Sequence, residues 1–218
     1  MTGLPFGEWL AQNQAEVIFR VQQHFLLSIY CVAIAAVLGL LIALATYRFE
    51  WPANVAIGVI AVAFTIPAVA LFGFVFSLTG NALLTIIPVV SMYGLLPITR
   101  NAVVGLQSAD PGVIDAAKGM GVGAFRMLWQ IRFPIAWPVI LAGLRVSTQL
   151  TVGILAIGAF VSPFGLGILG FNALNNLGSV NTGNEALACV VFVAAVALLF
   201  DAFFVLIRRF TTPRGARV

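Results

Sequence analysis

The chain has 218 residues, of which 61% are hydrophobic and only 8% charged, with a mean hydropathy of +1.09. A soluble globular domain carries about 25% charged residues, so this chain has too little polar surface to face water on all sides, and lipid must cover much of it. The net charge of +4 does not point to nucleic acid, because the basic residues stand beside apolar runs.

The opening segment, residues 4–23, mixes Trp9, Leu10, Val17, Ile18 and Val21 with Glu and Gln. Glu8, Glu16 and Arg20 occupy it, without a basic start or an early apolar core, so it does not read as a cleaved signal peptide. Its pattern predicts an external amphipathic helix lying on the outer surface (residues 1–23), with Trp9 among the headgroups. His24 then stands at the head of the first apolar run. Its position suits an interfacial anchor, with a functional histidine as the alternative.

Crossing the hydrocarbon core takes about 20 apolar residues. Five stretches qualify or nearly so: residues 25–45, 55–77, 83–99, 135–161 and 186–207. The expected fold is therefore all-α integral membrane with five transmembrane helices, one transmembrane domain over residues 1–218. Arg48 follows the first span. Arg100, Lys118, Arg126 and Arg132 separate the third from the fourth. Arg208, Arg209, Arg214 and Arg217 follow the fifth, and Arg20 alone lies on the opposite side. Basic residues favour the cytoplasmic face, which predicts the N-terminus outside and the C-terminus in the cytoplasm. Pro67, Pro88 and Pro97 interrupt the second and third spans, each removing a backbone donor; they serve as hinges or as fixed bends. The external stretch at 162–185 is rich in Gly and Asn and lacks basic residues. It reads as a re-entrant or capping loop, since irregular backbone at membrane depth needs shielding.

The long cytoplasmic loop, residues 100–134, contains a short helix. Asp110 is a favourable N-cap and Pro111 suits the first helical position. Asp115 lies one turn on, still near the positive dipole end, and Gly119 and Gly121 suit a left-handed stop. A second helical stretch spans 124–132, and Pro134 and Pro138 mark the return into the bilayer. A capped helix held between two spans suits docking into a partner. Ala116, Ala117, Gly119 and Gly121 permit close approach, and Val113, Ile114 and Met120 suit a partner's groove. A surface helix resting on headgroups fits the same pattern.

Charge inside a span marks function or pairing. Arg145 lies about 15 Å into the fourth span and Asp201 about 9 Å into the fifth, at the rise of an α-helix. They could pair, as a structural link between the two spans, or serve a gate or the solute; the sequence leaves the pairing open. Ser147, Thr148, Gln149 and Thr151 form a polar patch in the fourth span. Interhelical hydrogen bonding and lining of a translocation path both fit it. Cys31 and Cys189 lie in apolar runs and suggest neither a disulfide framework nor a metal site. There is no Gly-x-x-x-x-Gly-Lys-Ser/Thr loop, no Ser-His-Asp set and no pair of catalytic carboxylates. The chain is not expected to bind a cofactor or to hydrolyse ATP itself.

The run Asp115-Ala116-Ala117, three residues, Gly121, nine residues, then Ile131-Arg132-Phe133-Pro134 resembles the EAA loop of ABC-importer permeases. The family pattern is Glu-Ala-Ala, three residues, Gly, nine residues, Ile-any-Leu-Pro. Asp115 stands for Glu and Phe133 for Leu, and both keep the chemical type. The segments 65–73 (beginning Thr65-Ile66-Pro67), 94–101 (Gly94-Leu95-Leu96-Pro97-Ile98-Thr99-Arg100-Asn101) and 138–145 resemble the osmoprotectant permeases for betaine, choline and carnitine. The resemblance covers roughly residues 8–210. Those permeases have a Gly-Ala-Gly-Gly-Leu-Gly type run after the fourth span, where this chain reads Ser162-Pro163-Phe164-Gly165-Leu166-Gly167.

The resemblance implies a fold like that of the methionine importer's permease, in the bacterial inner membrane. It implies a second permease chain, identical or closely related, and a pair of ABC ATPase subunits that use ATP and receive the loop through Asp110, Asp115, Ala116, Ala117, Gly121, Ile131 and Pro134. It also implies a separate extracytoplasmic solute-binding protein. Thr148, Gln149 and Thr151 are then candidates for the path. A permease for another solute such as methionine, a stand-alone channel or ion-coupled carrier, and a membrane scaffold are the alternatives.

Overall fold

The computed structural model describes residues 3–211, which leaves Arg214 and Arg217 outside the described residues. Helix α1 runs unbroken from Phe6 to Thr46, 41 residues, or about 60 Å at helical rise. The segment expected to lie flat on the outer surface is therefore the first half of this helix. Trp9 is not among the headgroups. It is buried with Val17, Val152, Leu166 and Leu169. No Gly or Pro stands between residues 8 and 38 to break the helix, and the apolar face of residues 4–23 finds protein to cover it. Toward its second half α1 buries small and polar residues, Ser28, Cys31, Ala35, Gly39 and Ala43, and turns Leu26, Tyr30, Val37 and Leu41 outward. That arrangement suits lipid, where close backbone approach rather than large side chains holds helices together.

The second expected span is two helices, α2 (Glu50–Phe64) and α3 (Ala68–Thr79), which meet at 87°. Each is shorter than the roughly 30 Å hydrocarbon core. Pro67 opens α3 and supplies no backbone donor. The Tyr93 hydroxyl donates to the Ile66 carbonyl at the break, which satisfies a group the bend exposes. Gly80, in the left-handed region, ends α3, and the Asn81 side chain caps α4 (Ala82–Gln107) by accepting from Leu83 and Leu84. Helix α4 carries Pro88 and Pro97 without a break and extends about two turns past the expected end of the third span, so Arg100 lies within it.

Helix α5 (Pro111–Gly119) follows. The next helical stretch is continuous through Phe160: α6 (Ala124–Arg126), a π-helical turn at Met127–Arg132, α7 (Phe133–Ile157) and a 3₁₀ turn at Gly158–Phe160. Pro134, expected to mark the return into the bilayer, sits in the first turn of α7. The turn before it is wound with an extra residue, and the Phe133 amide donates to the Leu128 carbonyl, so the donor missing at Pro134 does not interrupt the helix. Helices α8 (Gly167–Asn175) and α9 (Thr182–Thr211) complete the described residues.

Four helical stretches, at residues 6–46, 82–107, 124–160 and 182–211, are long and apolar enough to cross a membrane, and the bent α2–α3 pair makes a fifth crossing when counted as one. Helix α4 is the centre, packed against α7 and α1, while α9 lies against α7, α8 and α1. Gly143 lets α7 sit on α4: a Cβ there would stand 2.7 Å from the Asn101 Cβ and 2.8 Å from the Pro97 carbonyl oxygen.

Candidate functional site

Helix α5 is short, and both its ends are locked by local chemistry. The Asp110 carboxylate accepts from the Gly112 amide at 2.7 Å and the Val113 amide at 3.3 Å. At the other end Gly121 has φ +78°, its amide donates to the Lys118 carbonyl, and the Val122 amide donates to the Ala117 carbonyl. That crossed pair satisfies the last carbonyls of the helix.

One side of α5 is held by the chain itself. Ile114 and Ala117 are buried with Ala109 and Met127, and Val122 and Ile131 pack against them. Ile114 was expected to enter a partner's groove; it points inward, because the three-residue spacing to Ala117 puts both on the face that meets the π turn. The opposite side presents Val113, Asp115, Ala116, Lys118 and Met120. Asp115 and Lys118 pair at 2.9 Å. Pro134 is exposed, one turn past Ile131.

The platform under α5 ties three long helices together. Arg132 donates to the Leu106 carbonyl at 2.7 Å, and its guanidinium lies 5.6 Å from the centre of the Tyr47 ring. Gln107 donates to the Tyr47 carbonyl at 3.0 Å. Helix α5 rests on the π turn through Met127 and Ile131, and Arg132 of that turn meets α4 and the end of α1. Among the described residues, the basic ones other than Arg20 and the intramembrane Arg145 lie in or beside the segments at this end: Arg48, Arg100, Lys118, Arg126, Arg132, Arg208 and Arg209.

Deeper in the bundle, Arg145 on α7 and Asp201 on α9 meet in a two-point pair at 2.5 and 2.7 Å. Gln149, one turn further along α7, donates to the same carboxylate at 2.9 Å. A groove of about 670 Å³, lined by Arg145, Gln149, Ala142, Phe204 and Arg208, opens beside them. Thr148 and Thr151, candidates with Gln149 either for interhelical hydrogen bonding or for lining a path, are enclosed within the chain. Thr148 donates to its own helix at the Leu144 carbonyl, and the nearby Ser147 donates to the Gly94 carbonyl on α4. Each residue turns about 100° around the axis, so Arg145 and Gln149 share one face, Thr151 stands about 120° or more away from both, and Thr148 lies between, turned about 100° from Gln149.

At the opposite end, a constellation joins residues far apart in sequence. His24 is fully buried and is neither an interfacial anchor nor open to a ligand. Its Nδ1 accepts from the Leu166 amide at 3.2 Å, so Nε2 carries the proton toward the Val152 carbonyl, 3.1 Å away. Gln23 accepts from the Gly165 amide, and Arg20 donates to the Pro163 carbonyl while pairing with Glu16. One turn and a half of α1 therefore clamps the 162–166 turn. The glycines of Gly165-Leu166-Gly167 acquire a reason. Gly165 has φ +80° and lies against His24, and a Cβ on Gly167 would stand 2.0 Å from the Ala156 carbonyl oxygen. The Gly pair was visible in the sequence, but nothing local linked it to His24.

Comparison with known proteins places this geometry. The chain is 32% identical over 195 residues to the glycine betaine/carnitine/choline transport system permease protein OpuCD of Bacillus subtilis (strain 168), covering 88% of this chain and 85% of that protein. It is 30% identical over 214 residues to the osmoprotectant import permease protein OsmW of Salmonella typhimurium, covering 96% and 98%. It is 35% identical over 178 residues to the choline transport system permease protein OpuBD of Bacillus subtilis (strain 168), covering 80% and 79%. A solved structure of the MetNI methionine ABC transporter, in an inward-facing conformation, superposes with a TM-score of 0.79 at 18% identity over 93% of this chain and 99% of that one, so the two share a fold. The profile of the binding-protein-dependent transport system inner membrane component matches residues 35–213, and the chain belongs to that family of integral inner-membrane transport proteins.

Proposed function

We propose that the chain is the path-forming subunit of an ATP-driven importer for small osmoprotectants such as glycine betaine, carnitine or choline. The observation that carries the coupling part is α5: a helix closed at both ends, held on one side where its Ile114 and Ala117 pack on Ala109 and Met127, with the other face left open. The names of the relatives supply the solute class. The gathering of basic residues at the α5 end supports a cytoplasmic placement for that end, with the Arg20–His24 clamp outside.

In this reading, two permease chains pair in the bilayer, and a pair of ATPase subunits binds the exposed face of α5. Asp115, Ala116 and Gly121 contact those subunits, while Asp110 and the Ile131–Pro134 turn hold the helix in position. The ATPases use the ATP; this chain contributes a lever and a path. An extracytoplasmic binding protein delivers solute to the end built from the α3–α4 turn and α8. Gln149, which reaches the groove beside the Arg145–Asp201 pair, is the path residue we retain. Polar groups already satisfied by one another bind a hydrated solute weakly, which suits passage better than capture.

The test is uptake. Cells lacking other osmoprotectant systems, supplied with this chain and its genomic neighbours, should regain growth at high osmolarity with betaine, carnitine or choline and should take up labelled solute only when ATP is present. Uptake of methionine alone would assign another solute. Uptake in ATP-free vesicles would assign a carrier that works by itself.

A further inference from the structure

Phe125, Trp129, Phe133 and Trp137 form a continuous aromatic ladder, with ring centres 6.3, 5.2 and 5.7 Å apart in sequence. In a regular α-helix each four-residue step overshoots a full turn by about 40°, so such a ladder winds around the axis. A π turn holds more residues per turn and its four-residue step falls short of the circle. The π turn at Met127–Arg132 thereby counters the drift and keeps the rings in a column.

The column faces away from α5. Met127 and Ile131, which hold α5, are two positions out of phase with it, about 200° around the helix. A partner gripping α5 therefore leaves the ladder uncovered. Phe125 is 75% and Trp129 46% exposed. The next two rungs are half-buried: Phe133 and Trp137 pack against the core around Tyr47, Ala102 and Ile140, so the exposed end of the ladder is Phe125 and Trp129. The Trp137 indole donates to the Thr211 hydroxyl at 2.8 Å, which brings the end of α9, with Arg208, Arg209 and the exposed Phe210, alongside. Arg126 is exposed beside Phe125. At the same height, fixed by the contact of Arg132 with Tyr47, Phe49 and Trp51 also stand exposed. Aromatic rings flanked by arginines at the end of a crossing helix match the headgroup layer of a bilayer, where rings sit at the boundary and guanidinium groups meet anionic phosphates.

We propose that the exposed Phe125–Trp129 end of the ladder, with Arg126, is a lipid-docking surface that seats the helix supporting α5 in the headgroup layer, with anionic lipid as its partner. The inference rests on the cytoplasmic placement of α5 only for which leaflet is meant, the inner one. The consequence is mechanical: α5 is held from below by a helix whose far side is fixed to the membrane, so force on α5 acts against the bilayer.

The full chain, with Trp9→Phe, Trp51→Phe and Trp137→Phe leaving Trp129 as the only indole, is reconstituted in vesicles of phosphatidylcholine and phosphatidylglycerol. Trp129 emission should be quenched more by a nitroxide placed near the lipid headgroup than by one at mid-chain, and little by aqueous iodide. Replacing the phosphatidylglycerol by phosphatidylcholine should reduce that quenching, and Arg126→Gln should abolish the difference between the two lipids. Stronger quenching by iodide than by either lipid, or none by any of the three, overturns the proposal. Equal quenching in both lipids overturns the choice of anionic partner. Because Trp9 is buried, a second measurement leaves it intact. A benzophenone side chain at position 129 of the otherwise unaltered chain, in assembled membranes, should yield lipid adducts; adducts confined to protein overturn the proposal. Neither readout depends on the ATPase, so failure here is separable from failure of α5 to bind one.

Discussion

The two ends of the bundle are built on opposite principles. At the α5 end the functional element is local: its cap, its stop and its exposed face lie within residues 110–122, and one side of it is left bare. At the other end the clamp joins Arg20, Gln23 and His24 to a turn some 142 residues away, and its polar groups are largely turned inward. The lesson is that α5 leaves one face open to a partner, whereas the opposite end is held by the chain itself. A part that must move against a partner keeps its own internal bonds short-range, so it moves as a body. A part that must hold its shape spreads its bonds over several helices.

Glycines separate the two ends most sharply. Gly167→Ala should prevent accumulation of folded protein, because the new Cβ would lie 2.0 Å from a backbone oxygen in α7 that has no room to yield; membrane yield and thermal unfolding in detergent check this. Gly119→Ala, where nothing lies within 4 Å of the added carbon, should be tolerated and even stabilise α5 by up to about 1 kcal/mol. Comparable yields of the two variants would erase the distinction.

Next in size is a charge on the bare face of α5. Ala116→Glu should abolish ATP-dependent uptake and co-purification of the ATPase while leaving yield and Tm of the chain unchanged. A fall in Tm would mean that α5 is part of the folded scaffold rather than a free face.

His24→Ala tests the far end. It leaves the Leu166 amide without its buried acceptor, at a cost of about 1–3 kcal/mol, and should lower Tm while ATPase co-purification persists. Loss of the ATPase from this variant would show that the ends are coupled in stability. The smallest effect is expected at the cap: Asp110→Ala should cost about 1 kcal/mol and Asp110→Ser much less, read as a graded loss of uptake in parallel with the cap's strength.

Legibility followed the same division. The apolar runs, the N-cap at Asp110, the left-handed Gly121 and the candidacy of Arg145 and Asp201 for a pair could be read because each depends on near neighbours or on the high cost of lone charge in lipid. The 87° break at Pro67 was visible as a proline but not as a fold, since its size depends on Tyr93 reaching across from α4. The continuous α1 was divided wrongly because Glu and Gln in residues 8–23 suggested a wet surface, while the cluster that encloses Trp9 draws on α7, α8 and α9. Thr148 and Thr151 looked alike with Gln149 in a string of letters; only the helical turn and the closeness of α4 show that the threonines are shut in. His24 carried no signal at all, because its partners are defined by tertiary contact alone.

The central claim is that the open face of α5 is held by a nucleotide-hydrolysing subunit during transport. Met120 is 77% exposed on that face. A photo-reactive side chain at position 120, illuminated in membranes actively accumulating solute, should form an adduct with the ATPase, and the yield should change when nucleotide is withdrawn. Adducts with lipid alone, from membranes whose uptake is intact, would contradict the account.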